Sequence, residues 1–164
     1  MSRSEKPATA SDVEQLIRDL NDDLAREYQA MIAYVVYSQV LQGAQFMNIG
    51  AELEKHAGEE LQHAITIAKQ IDYFGGMPVA QPKPVVLTEN NREMLQADLN
   101  NETETIRNYR MRIRQCEAIG QYATAEMIRE IVTQEQDHQI ALATALGIAV
   151  PKADAAESVA SAKS

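Results

Sequence analysis

Residues 60–63 read Glu60-Leu61-Gln62-His63 and residues 135–138 read Glu135-Gln136-Asp137-His138, one Glu-x-x-His spacing written twice. On an α-helix, residues three apart share a face, so each glutamate and its histidine can point at one spot. A further glutamate stands at one interval upstream of each pair: Glu27 lies 33 residues before Glu60, and Glu102 lies 33 before Glu135. The whole set recurs at an offset of 75, so that Asp23, Leu24, Glu27, Tyr34, Glu60 and His63 are matched by Asp98, Leu99, Glu102, Tyr109, Glu135 and His138. Four carboxylates and two imidazoles at helical spacing make a ligand set for two divalent cations.

Working outward, the flanking sequence is helical throughout. From Ser11 to about Leu41 the apolar positions Val13, Leu16, Ile17, Leu20, Leu24, Met31, Val35 and Leu41 recur in steps of three and four without a proline, an amphipathic helix. Ser11 and Glu14 have the capping-box spacing at its start. The periodicity resumes over 45–74, 89–119 and 122–146, giving four long helices broken at Gly43, Gly75-Gly76, Gly120 and Gly147. Gly50 and Gly58 weaken the pattern early in the second helix.

The glutamate intervals and the glycines agree. Gly43 lies beside the midpoint of Glu27 and Glu60, and Gly120 beside that of Glu102 and Glu135. A tight turn at each glycine folds two antiparallel hairpins whose paired glutamates sit level, about 24 Å from the turn. Between the hairpins, residues 75–87 carry three of the five prolines. Such a segment favours an extended path of roughly 43 Å, a crossover as long as a helix rather than a turn. Its Val85, Val86 and Leu87 suit either that path or a subunit contact.

Composition bounds the rest. One domain is expected from 164 residues, divided into an N-terminal arm over 1–10, the helical bundle over 11–147, and a polar, Ala- and Ser-rich tail over 148–164. A net charge of −9 and a pI near 4.8 disfavour nucleic acid and anionic membrane as partners and favour cations. The single cysteine, Cys116, excludes an intrachain disulfide and, with no apolar leader or membrane-length run, makes the cytoplasm the expected compartment.

Oxygen-rich ligation with one imidazole per ion suits iron or manganese rather than thiolate-bound zinc. Two dications would also neutralise four carboxylates that a low-dielectric core could not otherwise hold. The arrangement of one Glu from each of two helices and Glu-x-x-His from the other two is that of dinuclear carboxylate bundles. The same residues also admit a metal-free helical interaction module with solvated glutamates. Around the ligand set, Tyr34 and Tyr109 fall on the face of their glutamates, and Glu59 is either a transit site for cations or a solvated charge. His56 reads as a surface or packing residue, and Asn90, Asn91, Asn100 and Asn101 as solvated helix surface.

On these residues, with Asp98-Leu99 ahead of Glu102, Tyr34 seven after Glu27, and Gly75-Gly76-Met77-Pro78 after the second helix, the chain resembles the bacterioferritin branch of the ferritin-like superfamily over about residues 12–147. The resemblance implies an all-α, antiparallel four-helix bundle of two hairpins joined by a long crossover. It implies two iron ions per chain, manganese being the alternative, oxidised as Fe(II) to Fe(III) by O2 or H2O2 for iron storage or detoxification. Glu27, Glu60, His63, Glu102, Glu135 and His138 would be the ligands, with Glu60 and Glu135 bridging both ions and Tyr34 close behind. A homo-oligomer is implied, a dimer or a larger shell. Two departures narrow this. Leu61 stands where haem-binding members carry a methionine, so haem is not expected, and the proline-broken tail is a poor fifth helix. Thr105 stands where rubrerythrins carry an extra glutamate, which disfavours a rubrerythrin-type peroxidase; a non-storing di-iron or di-manganese oxidoreductase or peroxidase on the same bundle is the second reading.

Overall fold

The computed structural model describes residues 7–153. Residues 1–6 of the arm and 154–164 of the tail lie outside the described residues. Four α-helices account for the bundle: α1 (Ala10–Val40), α2 (Met47–Tyr73), α3 (Asn91–Ala118) and α4 (Tyr122–Leu146), with a single 3-10 turn, Ala44–Phe46, before α2. The described residues contain no β-strand.

The start of α1 differs from the expectation at Ser11 and Glu14. Thr9 is the N-cap: its hydroxyl accepts from the Asp12 amide at 3.2 Å, and the Asp12 carboxylate accepts from the Thr9 amide at 2.9 Å. Aspartate three residues on closes the box as glutamate would. Replacing Thr9 by alanine is therefore expected to cost about 1 kcal/mol in denaturant unfolding, and replacing Ser11 almost nothing. At α3, Asn90 is not mere surface. Its side chain caps the helix by accepting from the amides of Arg92 and Glu93, while Asn91 exchanges hydrogen bonds with the Gln42 backbone in the other hairpin.

The hairpins turn at the glycines. Gly43 (φ 106°) and Gly120 (φ 74°) occupy backbone conformations that strain any residue with a Cβ. α1 lies against α2 and α3, and α4 against α3 and α2. Contacts across the bundle run in opposite senses along α1 and α3, from Asp19–Gln115 through Arg26–Glu104 to Tyr34–Glu102, so these helices are antiparallel. All four neighbouring pairs are antiparallel, and α2 and α3 run parallel. The crossover makes this possible by lying along α1, where Asn21, the Ala25 carbonyl, Gln29 and Tyr37 bond in turn to Met77 and Val79, Lys83, Pro84 and Val86. Val85 packs on the core, whereas Val86 and Leu87 are exposed.

The core is split in two. One apolar cluster holds Leu16, Leu20, Leu24, Ile67, Ile71 and Ile128, and the other Leu53, Leu95, Leu99, Leu142 and Leu146. Each such buried side chain contributes about 1.5–3 kcal/mol, and the two clusters fix the register of the polar layer between them. Val35, expected on the inner face of α1, is exposed, and Ala33, Tyr34 and Tyr37 are buried instead. Beyond α4, residues 148–153 return over the bundle, with Gln139 donating to the Pro151 carbonyl at 3.2 Å and Arg107 to that of Ala153 at 3.1 Å.

Candidate metal centre

Midway along the bundle, Glu27 from α1, Glu60 and His63 from α2, Glu102 from α3 and Glu135 and His138 from α4 converge, none more than 2 % exposed. Their ligand atoms form two groups, one of Glu27, Glu60, His63 and Glu135 and the other of Glu60, Glu102, Glu135 and His138. Glu60 and Glu135 belong to both because each turns one oxygen to either side. Glu60 sets Oε2 at 3.2 Å from His63 Nδ1 and Oε1 at 2.8 Å from His138 Nδ1. Glu135 sets Oε1 at 3.3 Å from the first nitrogen and Oε2 at 3.2 Å from the second.

Each imidazole is held by its other nitrogen. His63 Nε2 donates to the side-chain amide oxygen of Gln134 at 2.5 Å, and His138 Nε2 to Glu59 at 2.7 Å, so both Nδ1 atoms face the centre. The outer carboxylates are held from the opposite hairpin: the Tyr34 hydroxyl donates to Glu102, and that of Tyr109 to Glu27. Glu27 Oε2, Glu60 Oε1, Glu102 Oε2, both oxygens of Glu135 and His138 Nδ1 are buried without a hydrogen-bond partner. Buried orphans of this kind are rare in folded proteins, and gathered at one point they fit two cations.

The electrostatics show how costly the layer is without cations. Burial pushes the carboxyls of Glu27 and Glu102 well above the usual range, and the charges of Glu135 and Glu60 push the same way. Burial opposes charge on the histidines as well, but contacts with Glu135 and Glu60, and for His63 with Glu27, prevail. His63 is held far above its ordinary value and His138 at about 10. Burial likewise raises Glu60 and Glu135, yet the imidazoles of His138 and His63, 2.8–3.3 Å away, bring both below the ordinary value. Protons on the imidazoles and outer carboxyls thus balance the central pair.

Several residues around the centre were not legible as partners. His56 is not at the surface: it is 3 % exposed, and its ring stacks on that of His138 at 4.0 Å between centroids. Burial, with the charge of His138 beside it, lowers His56 to about 4. Glu59, only partly exposed, joins His56 and His138 in a third group of potential ligands. Asp23 is buried against Arg112 at 2.7 Å, while Asp98, its counterpart in the repeat, is 2 % exposed with Oδ2 unpartnered. The repeat of 75 could have exposed these pairs, since Glu59 corresponds to Gln134 and Arg112 to Tyr37.

A closed helical bundle whose buried middle layer gathers four carboxylates and two histidines is the arrangement that dinuclear carboxylate bundles share. Residues 17–148 match the profile of the ferritin-like domain family, and the chain belongs to that family. Bacterioferritin of Brucella melitensis is 27 % identical over 135 residues, covering 82 % of this chain and 84 % of that protein. A ferritin-like, diiron-carboxylate protein of Bacillus anthracis superimposes with a TM-score of 0.81 at 30 % identity, over 84 % of this chain and 99 % of the other. A dodecameric thioferritin of Bacteroides fragilis, a bacterioferritin-related protein, superimposes with a TM-score of 0.76 at 28 % identity, over 82 % and 86 %.

Proposed function

We propose that this chain binds two iron ions in the middle layer and oxidises Fe(II) to Fe(III) with O2 or H2O2, serving iron storage or detoxification. The observation that carries the reading is the pair of buried carboxylates, Glu60 and Glu135, each presenting one oxygen to either histidine. Glu27 and His63 would complete one position, Glu102 and His138 the other. Two ferrous ions supply one electron each; H2O2 accepts both with two protons to give two waters, or O2 accepts them to give H2O2. The protein's part is to hold the two positions together, to exclude water with the apolar clusters on either side, and to orient the outer carboxylates through Tyr34 and Tyr109.

The likeness to bacterioferritin supports storage, and the dodecameric Bacteroides fragilis relative supports a closed homo-oligomer. The test combines aerobic Fe(II) oxidation with anaerobic metal content and native mass. Oxidation well above the rate of buffer, about two metal ions per chain, and a closed assembly are expected. A bare dimer removes the storage role, and a rate equal to that of buffer removes the ferroxidase.

A further inference from the structure

The two halves of the centre correspond through the interval of 75, and the contacts are reciprocal: Tyr34 reaches Glu102 as Tyr109 reaches Glu27, and His63 reaches Gln134 as His138 reaches Glu59. Immediately outside the six ligands, however, the correspondence breaks: His56, stacked on the His138 ring at 4.0 Å, has Ile131 in the corresponding place, and two further breaks concern carboxylates. Behind His63 stands the neutral amide of Gln134; behind His138 stands the carboxylate of Glu59. Asp23 is paired with Arg112 at 2.7 Å, but Asp98 has Tyr37 in the corresponding place, and the Tyr37 hydroxyl is committed to the Val86 carbonyl. Asp98 Oδ2 is left buried and unpartnered.

We infer that the two cation positions are unequal by construction: the one between Glu102 and His138 fills first and holds its ion more tightly than the one between Glu27 and His63. The inference rests on the dinuclear reading above and adds to it the order of filling and the residues that set it. A carboxylate accepting the Nε2 proton of a ligating imidazole makes Nδ1 a better donor to a cation, and an amide oxygen does so less. Asp98 has no guanidinium against it as Asp23 has, but burial pushes its carboxyl well above the usual carboxylate range, so the Glu59 carboxylate is what sets the difference. Lys55 approaches Glu59 at 3.6 Å but does so from the exposed surface and on the other oxygen, Oε1, leaving Oε2 with His138. Glu59 and Gln134 are positioning residues here, acting through the histidines.

The experiment is an anaerobic titration of the full chain with Co(II), followed by its visible absorption, with crystals grown at one equivalent to place the ion by anomalous scattering. Two binding steps are expected, separated by roughly 10–100-fold, with the first ion beside Glu102 and His138. Glu59→Gln should weaken the first step by a similar factor and leave the second unchanged; Gln134→Glu should strengthen the second until the steps merge. Both replacements preserve shape, and within each variant the unaltered step reports an intact fold. Two equal steps, a first ion beside Glu27 and His63, or a Glu59→Gln isotherm like the parent's would each overturn the inference while leaving a dinuclear site. Failure to bind Co(II) at all would overturn the dinuclear reading itself.

Discussion

Glu135→Ala is expected to bring Fe(II) oxidation down to the rate of buffer, a loss larger than the roughly 10–100-fold that removal of an outer partner costs. The reason is that Glu135 is shared. Its two oxygens lie at 3.3 Å and 3.2 Å from the Nδ1 atoms of different histidines, so truncation would take a ligand from both proposed positions at once. It also leaves three carboxylates to balance two dications, in a layer where all four are buried. Glu27→Ala is the informative comparison, because Glu27 reaches only the His63 side. That variant should keep one position and lose paired oxidation, with metal content falling to about one ion per chain. Stopped-flow absorbance of the ferric product reads the rate, and far-UV circular dichroism the helices. A Glu135→Ala protein that oxidises like the parent, with helix content intact, would show that the middle layer is not where oxidation occurs.

The second large effect concerns the metal-free protein, whose melting temperature should fall as pH rises from about 6.5 to about 10. His138 is held at about 10, against 6.5 for a free imidazole, so across that window the native state keeps a proton that the unfolded state has lost. Stability from this group is complete below 6.5 and gone above 10. Glu27 and Glu102 act with the same sign, their raised carboxyls holding protons in the native state above the ordinary carboxylate range. Glu60 and Glu135 act oppositely, and their contribution disappears as pH falls below the usual glutamate value. In the proposed function divalent cations would replace the protons. At pH 8–9 and a hundredfold excess over the dissociation constants, two bound ions should raise the melting temperature by roughly 10–20 °C. A melting temperature flat with pH and indifferent to Fe(II), Mn(II) and Zn(II) would contradict both the ligand set and its charge balance.

The convergence of the six side chains was legible because Glu-x-x-His spacing and turns are both local signals. Glu60 and His63, three apart on one helix, declare a shared face, and the glycines at 43 and 120 declare where each hairpin reverses. What could not be read is what depends on how one helix is rotated against another. The Tyr34 hydroxyl finds Glu102 across 68 residues, and His56 is buried because α2 turns it onto His138. The crossover shows a mixture. Its prolines announce an extended path, but the Asn21 and Gln29 side chains that pin it look like ordinary polar surface in sequence.

The reciprocal tyrosines have a further consequence for how the centre is owned. The first hairpin contributes Glu27, Glu60 and His63, yet the hydroxyl that steadies Glu27 and the amide that steadies His63 come from the second, and the converse holds throughout. Neither hairpin carries a finished half. The architecture is that of one helical hairpin clasping a near-copy of itself about a twofold axis perpendicular to the helices, with the crossover as the tether that makes the pair a single molecule. The six converging side chains lie on the seam of this internal dimer, so binding of the proposed ions and the docking of its two halves would be a single equilibrium.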